Sequence, residues 1–238
     1  MMISISIVSH GHIQLIKQLL EDLQKYCADQ ADSQVNHIEV ILTLNIPEEI
    51  PENLQSSYSF PIKIIKNNCP KGFGANHNYA FTQISGDYFC VLNPDIRLTQ
   101  NPFPVLLRHN TGVSAPQIID EHGNIQDSAR EFLTPLKLLK RRFTQQTGSM
   151  VNSKNPDWVA GMFMVFPKEI FKKIHGFDEK YFMYCEDMDL CRRLRKQGYT
   201  VTLEKSVQAI HVARRESHKK LKFLYWHLKS LLIYFLST

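Results

Sequence analysis

Hydrophobic and polar residues alternate at the start of the chain and then change to a helical period. Residues 2–8 alternate mostly Ile and Ser, as in a strand, and the apolar residues between 13 and 23 then form one helical stripe. A second helix-like segment covers residues 74–84. Three further strand-like runs lie at residues 37–45, 60–66 and 87–92. Strands that alternate with helices predict an α/β fold with a mostly parallel central sheet flanked by helices.

The predicted strands end in polar residues. Parallel sheets bind ligands at the carboxyl ends of their strands, so these residues indicate a binding edge. The strand ends are Ser9-His10, Asn45, Asn67-Asn68 and Asn93-Pro94-Asp95.

The second half of the chain is less regular. Its pattern predicts a short strand near 112–116, a hairpin around 120–130, a basic helix near 135–143 and an apolar strand at 158–166.

Composition is that of an ordinary globular protein of 238 residues, with 43% hydrophobic and 21% charged residues. The five cysteines are odd in number and form no CxxC pair, which argues against a disulfide framework or zinc site and favours a reducing cytosol. The apolar start has no basic region before it, so it reads as a strand and not as a signal peptide.

An acidic segment opens a predicted helix at Glu186, Asp187 and Asp189. Asp187 shares a helical face with Leu190 and Leu194, so its carboxylate is expected to point inward, whereas Glu186 turns about 100° away. Two interpretations are open. The acids cap the helix and favour its positive end, or Asp187 is paired, binds a cation or acts as a base.

Two loops carry further candidate chemistry. Gly72 and Gly74 lie between a strand and a helix, where glycine lets backbone N–H groups approach a ligand, although the spacing is neither a P-loop nor a dinucleotide fingerprint. Asp95 follows a strand in an Asn-Pro-Asp turn, and either caps that turn or binds a hard cation. His211 ends another apolar run and is either structural or a second ligand.

Several motifs in order resemble the family 2 glycosyltransferases, especially the rhamnosyltransferase-like branch of bacteria. The resemblance covers roughly residues 3–217. Its motifs are the opening Ile-Val-Ser strand, Gly-Phe-Gly-Ala-Asn-His-Asn from Gly72, Leu-Asn-Pro-Asp95, Trp158-Val-Ala-Gly161, Gly176-Phe-Asp-Glu, Glu186-Asp187-Met-Asp-Leu, and Gly198-Tyr ending near His211.

The resemblance implies a GT-A fold and inverting transfer of rhamnose or another hexose from a UDP- or dTDP-sugar. It implies an acceptor hydroxyl on a cell-surface glycan or lipid-linked molecule, in polysaccharide biosynthesis. The implied catalytic base is Asp187, and the implied Mg²⁺ or Mn²⁺ ligands are Asp95 and His211. The expected acceptor side comprises Trp158, Gly161 and Glu186, although a core position for Trp158 is equally open. The expected nucleotide-sugar site comprises Ser9, Asn45, Gly72, Gly74, Asn76, Asn93 and Asp95.

The chain departs from the family pattern at two strand ends. Ser9-His10-Gly11 stands where Thr-Tyr-Asn is usual, and Leu-Thr-Leu-Asn45 stands where Val-Asp-Asn is usual, which leaves the donor base unassigned. A non-catalytic nucleotide-sugar or glycan-binding relative is the alternative, and such a protein is expected to lose an acid at position 95 or 187. Both acids are present.

The end of the chain combines basic and apolar residues. Residues 1–216 are expected to form the catalytic domain, divided near 110 into a nucleotide-sugar half and an acceptor half, with a basic amphipathic helix at 217–238. This helix is too short and polar for a good membrane span. It packs on the catalytic domain or in a homodimer, or it lies on the cytoplasmic face of the inner membrane, where Arg214, Arg215, Lys219, Lys220 and Lys222 meet anionic headgroups. No recognisable nucleic-acid reading motif accompanies the charge, so nucleic acid is not expected as a partner.

Overall fold

Four parallel strands from the first 92 residues form one half of an eight-stranded sheet. The computed structural model describes residues 1–28, 37–132, 154–212 and 221–237. Helix α1 (Ile13–Leu23) continues into a π-helical turn, Gln24–Ala28, and α2 spans Phe73–Phe81. The strands are β1 (Met2–Ser9), β2 (His37–Leu44), β3 (Ile62–Lys66) and β4 (Tyr88–Leu92). They lie in the order β3-β2-β1-β4, which confirms the predicted start of the fold.

The other half of the sheet mixes parallel and antiparallel strands. It contains β5 (Ile96–Leu98), β6 (Gly112–Ile119), β9 (Phe163–Pro167) and β10 (Thr200–His211), in the order β9-β6-β10-β5 after β4. Strand β9 runs antiparallel to both β4 and β6, whereas β10 runs parallel to β6. The α/β fold with a mostly parallel sheet is therefore confirmed.

The predicted strand at 158–166 is wrong as one element. It forms two strands in different sheets, because the three residues between them bond elsewhere. Strand β8 (Trp158–Val159) pairs with β7 (Ala129–Arg130) in a two-stranded sheet, and the chain then crosses to β9. Between the two strands the Ala160 N–H donates to the Ser128 carbonyl and the Gly161 N–H to the Asp187 carboxylate.

The predicted hairpin at 120–130 is a tight turn followed by β7. Asp120 accepts the N–H groups of His122 and Asn124, and a single bridge joins Ile119 to Ile125. The basic helix expected near 135–143 lies outside the described residues.

A short 3-10 helix spans Leu54–Ser56. Four more α-helices lie in the described part of the chain: α3 (Phe103–Leu106), α4 (Lys168–Lys173), α5 (Glu186–Lys196) and α6 (Leu221–Leu236). Both faces of the sheet are covered. Ile3, Ile5 and Ile7 of β1 pack in one core cluster with α1, whereas α5 belongs to a second cluster on the opposite face. The serines of the Ile-Ser alternation are therefore also buried, and Ser6 Oγ lies 2.8 Å from His77 Nδ1. In the described ranges no helix is long and apolar enough to cross a membrane.

Candidate active site

Three asparagine amides fix the loop that follows β3. Asn45 Oδ1 accepts the Lys71 N–H at 2.8 Å, and Asn45 Nδ2 donates to the Lys71 carbonyl at 3.0 Å. Asn67 Nδ2 donates to Asn45 Oδ1 at 2.9 Å and to Asn76 Oδ1 at 2.7 Å. Asn76 Nδ2 in turn donates to the Gly72 carbonyl at 3.0 Å. The amides of Asn45 and Asn76 therefore shape the loop, and Asn67 was missing from the predicted site although its strand end was noted.

The first strand end joins the same arrangement. The Ser9 carbonyl accepts the Asn45 N–H at 2.9 Å, and Ser9 Oγ accepts the His12 N–H at 3.1 Å. The side chain of Ser9 is fully buried and holds the chain just before α1, whereas its backbone carbonyl joins the ends of β1 and β2.

Gly72 and Gly74 are required by the segment that leads to helix α5. A Cβ on Gly72 would lie 2.7 Å from the Phe182 carbonyl oxygen, and one on Gly74 would lie 2.5 Å from Phe177 Cβ. The Phe73 N–H also donates to the Phe182 carbonyl at 2.9 Å. The structure thus gives these glycines a packing reason, where the sequence suggested close approach to a ligand.

Asp95 and His211 meet at the sheet edge although 116 residues separate them. His211 Nε2 lies 3.3 Å from Asp95 Oδ2, and Asp95 Oδ1 is buried without a hydrogen-bond partner. The two segments are joined by the Val212 N–H, which donates to the Asp95 carbonyl at 2.9 Å.

Gln126 fixes the orientation of the His211 ring. Its Nε2 donates to the His211 carbonyl at 3.1 Å, which leaves its Oε1 to accept from His211 Nδ1 at 2.7 Å. With the proton on Nδ1, the lone pair of Nε2 faces an Asp95 oxygen. Two acceptors then face each other, an arrangement that a divalent cation satisfies. No motif in the sequence pointed to Gln126.

The described residues contain no group of three or more His, Cys, Asp and Glu side chains arranged as a metal site. A pair of ligands nevertheless suits Mg²⁺ or Mn²⁺ at a nucleotide-binding edge, because Mg²⁺ keeps several waters and takes other oxygens from substrate phosphates. Asn93 belongs to the same strand end, and its N–H donates to the Met162 carbonyl at 2.9 Å.

Asp187 is held at the start of α5 by backbone groups. Its Oδ2 accepts the Gly161 N–H at 3.0 Å, and its Oδ1 accepts the Met188 N–H at 2.8 Å. A Cβ on Gly161 would lie 3.2 Å from the Phe73 ring and 3.6 Å from Asp187 Cβ, so glycine leaves room here between α2 and α5.

The helical period turns Glu186 about 100° away from the stripe of Leu190 and Leu194, yet Glu186 is also buried. The residue is 6% exposed, and its Oε2 is buried without a hydrogen-bond partner. Helix α6 contacts α5 further along, where the Tyr234 carbonyl accepts from Arg192 Nη1 at 3.3 Å. Glu186 and Asp187 thus form a neighbouring pair of acids that water reaches poorly.

Burial changes the proton affinity of both acids. It raises the pKa of Glu186 well above the ordinary value, and the neighbouring Asp187 charge adds to the effect. Burial also raises the pKa of Asp187, while the N–H groups of Gly161 and Met188 and the charge of Arg130 lower it in part. The helix end favours the ionised form of Asp187, but desolvation has the larger effect on its pKa. Because Asp187 accepts two N–H groups, it is the better carboxylate of the pair, and Glu186 the better proton holder.

A left-handed turn immediately precedes these two acids. Tyr184 and Cys185 both have positive φ angles, 70° and 65°, immediately before α5. Such angles are uncommon for residues other than glycine and cluster at functional sites. The turn reverses the chain so that α5 begins directly at the two acids.

Asp189, the third acid, has a structural role. It is 3% exposed, and its carboxylate pairs with Arg192 at 2.8 Å and with Arg193 at 2.7 Å. The structure therefore separates the three acids of the motif into a neighbouring pair at the start of α5, of which Glu186 is buried and Asp187 partly exposed, and one internal salt-bridge partner.

Trp158 lies in the core, as the second of the two predicted alternatives. It is 9% exposed, and its indole N–H donates to the Glu131 carbonyl at 3.2 Å. Arg130 covers the ring at 5.6 Å from its centroid and is also paired with Asp127 at 2.8 Å. The charge of Arg130 also acts on Asp187 and lowers its pKa in part. No local pattern in the sequence marks Arg130, because β7 is only two residues long.

Comparison with protein families gives two matches. A model of glycosyl transferase family 2 matches residues 4–174, and a model described as the N-terminal domain of galactosyltransferase matches residues 147–219.

Two relatives are rhamnosyltransferases. The chain is 30% identical to rhamnosyltransferase WbbL of Escherichia coli, over 98% of its own length and 92% of that protein. It is 28% identical to the N-acetylglucosaminyl-diphospho-decaprenol L-rhamnosyltransferase of Mycobacterium tuberculosis, over 52% of its own length and 47% of that enzyme.

Three solved structures share the fold at low sequence identity. GalNAc-T7 with UDP, GalNAc and Mn²⁺ superposes with a TM-score of 0.67 at 15% identity, covering 90% of this chain and 44% of that one. The mannosyltransferase PcManGT of Pyrobaculum calidifontis, with GDP-Man and Mn²⁺, superposes with a TM-score of 0.62 at 11% identity, covering 90% of this chain and 57% of that one. S. aureus TarS with UDP-GlcNAc superposes with a TM-score of 0.61 at 14% identity, covering 90% of this chain and 59% of that one. These are GT-A glycosyltransferase structures.

Proposed function

The chain belongs to glycosyl transferase family 2, and from that premise we propose that it transfers rhamnose or another hexose, with inversion, from a UDP- or dTDP-sugar to a lipid-linked glycan. The observation that carries the proposal is the Asp187 carboxylate, which two backbone N–H groups hold in place at the mouth of α5. The 30% identity with rhamnosyltransferase WbbL over almost the whole chain supports rhamnose as the first donor sugar to test.

In this proposal Asp187 is the general base. The acceptor hydroxyl oxygen bonds to the anomeric carbon, its proton passes to the Asp187 carboxylate, and the bond from that carbon to the nucleoside diphosphate breaks. Attack from the face opposite the leaving group inverts the anomeric centre. A positioned base of this kind contributes about 10²- to 10⁴-fold to the rate.

Glu186 supports that base by remaining protonated. Two neighbouring carboxylates in a poorly hydrated site do not both ionise easily, so the proton stays on the one with fewer donors. Glu186 Oε2 has no donor and Asp187 has two. A neutral Glu186 leaves the single negative charge on Asp187 and can donate its own O–H to an acceptor hydroxyl.

Asp95 and His211 fit a divalent cation. The buried, unpartnered Asp95 Oδ1 and the lone pair of His211 Nε2 supply an oxygen and a nitrogen ligand at the edge where the diphosphate is expected. When bound there, Mg²⁺ or Mn²⁺ would offset the negative charge that develops on the departing diphosphate. Both GalNAc-T7 and PcManGT, which share the fold, were solved with Mn²⁺.

Arg130 suits the acceptor side of the proposed cleft. The name of the Mycobacterium tuberculosis relative specifies an acceptor that carries a diphosphate on a polyprenol. A guanidinium close to Asp187, backed by the Trp158 ring and only partly buried, can pair with a phosphate while the sugar hydroxyl reaches the base. We assign Arg130 to this contact in the proposed reaction.

The test is a panel of nucleotide sugars with Mn²⁺, in which thermal unfolding and sugar release are measured on the same samples. A donor at 100 times its Kd should stabilise the fold by about 2.7 kcal/mol. Stabilisation together with transfer to a lipid-diphosphate acceptor supports the proposal. Stabilisation by a donor without transfer or hydrolysis, under any acceptor supplied, would favour the alternative of a non-catalytic binding relative.

A further inference from the structure

Helix α6 docks on the catalytic domain through one row of side chains. Trp226, Ser230 and Tyr234 recur every four residues along this row. The Trp226 ring lies 4.7 Å from that of Phe182, and Ser230 Oγ donates to the Met183 carbonyl at 2.8 Å. Tyr234 is 2% exposed and has the Arg192 guanidinium over its ring at 4.2 Å. This docked row therefore holds α6 against the segment that precedes α5.

The opposite side of α6 is apolar and open to solvent. A second row of side chains has the same four-residue spacing as the docked row. Its positions are two residues away from those of the docked row, which corresponds to a rotation of about 200° around a helix of 3.6 residues per turn. We call this row, with Tyr225 beside it, the outer stripe. Its members are Leu224 (56% exposed), Tyr225 (61%), Leu228 (58%), Leu232 (61%) and Leu236 (77%).

An outer stripe of this kind is unusual on a surface helix. The side of such a helix that faces water is normally polar, since the apolar stripe is the one that packs. Among the exposed large hydrophobic residues of the described chain, five of the eight lie on this one helix. A contiguous apolar patch of this kind indicates a partner surface.

The charges beside the outer stripe identify the partner. Lys222 and Lys229 are exposed and lie seven residues apart, so they fall on the same border of the stripe. Residues 221–238 contain these two lysines and no Asp or Glu. An apolar stripe bordered by lysine, without an acid, complements a lipid surface that carries anionic headgroups.

We propose that the outer stripe of α6 binds an anionic phospholipid surface, with Leu224, Leu228 and Leu232 entering the acyl boundary and Lys222 and Lys229 among the headgroups. A second copy of the chain is a poorer occupant. A standard protein interface uses about 20–30 residues a side, whereas the stripe offers five large side chains. This proposal goes beyond the assigned transferase activity and does not depend on it.

Docking of α6 next to α5 gives the lipid contact a purpose. The docked row contacts residues 182 and 183, which immediately precede the left-handed turn into Glu186 and Asp187. A lipid surface on the outer side of α6 therefore lies across this one helix from the segment that leads to the candidate base. A membrane-borne acceptor would reach the cleft without leaving its bilayer.

The experiment is flotation of the full chain with vesicles of phosphatidylcholine alone or mixed with phosphatidylglycerol, at low and high salt. We expect flotation with the anionic vesicles and weaker flotation at high salt. The double substitution Leu228→Glu and Leu232→Glu should reduce vesicle affinity by about tenfold or more, because the favourable free energy of moving each leucine side chain from water into the lipid is lost. Lys222→Ala with Lys229→Ala should weaken binding and reduce its salt dependence.

The matched control is Lys63→Ala with Lys66→Ala, which removes two charges from the exposed edge strand β3 and should float like the wild type. Thermal unfolding checks that each variant folds, and Leu228→Ser with Leu232→Ser replaces the glutamate pair if that variant does not. Failure of the wild type to float, or equal flotation of the stripe variants, overturns the proposal. So does a lipid-free dimer in sedimentation that the stripe variants convert to monomer. Donor binding, measured separately, tests the transferase assignment.

Discussion

At the scale of single residues, both carboxylate oxygens of Asp187 accept backbone N–H groups. Asp187→Asn keeps the shape of the side chain but removes its ability to take a proton. We expect kcat to fall by about 10²- to 10⁴-fold, with donor Kd within about threefold of the wild type. The wild-type rate should itself fall as pH is lowered through the raised pKa of Asp187, because the base must be ionised. Near-normal turnover of Asp187→Asn would remove it from this role.

The raised pKa of Glu186 predicts that the stability of the fold depends on pH. A carboxyl whose native pKa is raised binds its proton more tightly in the folded chain than in the unfolded one. The wild type should therefore lose stability relative to Glu186→Gln as pH rises from about 4.3 through the raised native pKa, and the two should converge below about pH 4. Each tenfold difference in proton affinity corresponds to about 1.4 kcal/mol. Urea unfolding between pH 4 and pH 8 measures the effect, and a difference that is constant across this range would contradict it.

At the scale of elements, helix α2 is fitted to the segment before α5 through Gly74. Alanine is favoured over glycine inside a helix by about 1 kcal/mol, but here its Cβ would lie 2.5 Å from Phe177 Cβ. We expect Gly74→Ala to destabilise the fold by about 1–3 kcal/mol and to weaken donor binding, because α2 must move away from Phe177. Tyr79→Ala, on the exposed side of α2, is the control and should change stability by less than about 0.5 kcal/mol. Unfolding midpoints and donor Kd are the readouts. A Gly74→Ala variant more stable than the wild type would show that Phe177 moves aside without cost and would contradict the prediction.

The elements also show what the pattern of the chain can and cannot predict. Strands β1 to β4 and helices α1 and α2 follow from periodicity, because their apolar residues face one continuous core. Residues 158–166 do not, since nothing in their composition marks the crossing from one sheet to another at Gly161. The burial of Glu186 was also hidden, because the helical period gives only its angle to the stripe of Leu190 and Leu194 and not what packs around it.

At the scale of the whole molecule, the proposed metal pair joins three distant parts of the chain: the end of β4, the turn before β7 and the end of β10. Gln126→Leu removes both bonds that orient His211. We expect affinity for Mn²⁺ in the presence of UDP to fall by about 10–100-fold, measured by electron paramagnetic resonance or calorimetry. Gln55→Leu, which removes a backbone bond far from this edge, is the control. Unchanged Mn²⁺ affinity in Gln126→Leu would show that His211 needs no such support.

The sequence motifs predicted Asp95, His211 and Asp187 as members of one site, and the structure brings Asp95 together with His211 and places Asp187 on the far side of residues 161–162. Their roles, like the division of the chain near residue 110, stay predictions. The supporting residues Asn67, Gln126 and Arg130 were not in the predicted site. Their contribution comes from contacts across 9 to 85 residues of sequence or from neighbouring rings, and no local pattern records such contacts.

The crossing between the two sheets also limits how the chain can change in length. The Gly161 N–H donates to the candidate base. The carbonyl of the next residue, Met162, accepts the N–H of Asn93, at the strand end that leads to Asp95. One inserted residue would add up to about 3.3–3.6 Å of chain, longer than either hydrogen bond. Insertions and deletions should therefore be excluded from residues 160–162 in working enzymes, whereas the exposed turn at residues 121–124 can vary freely in length.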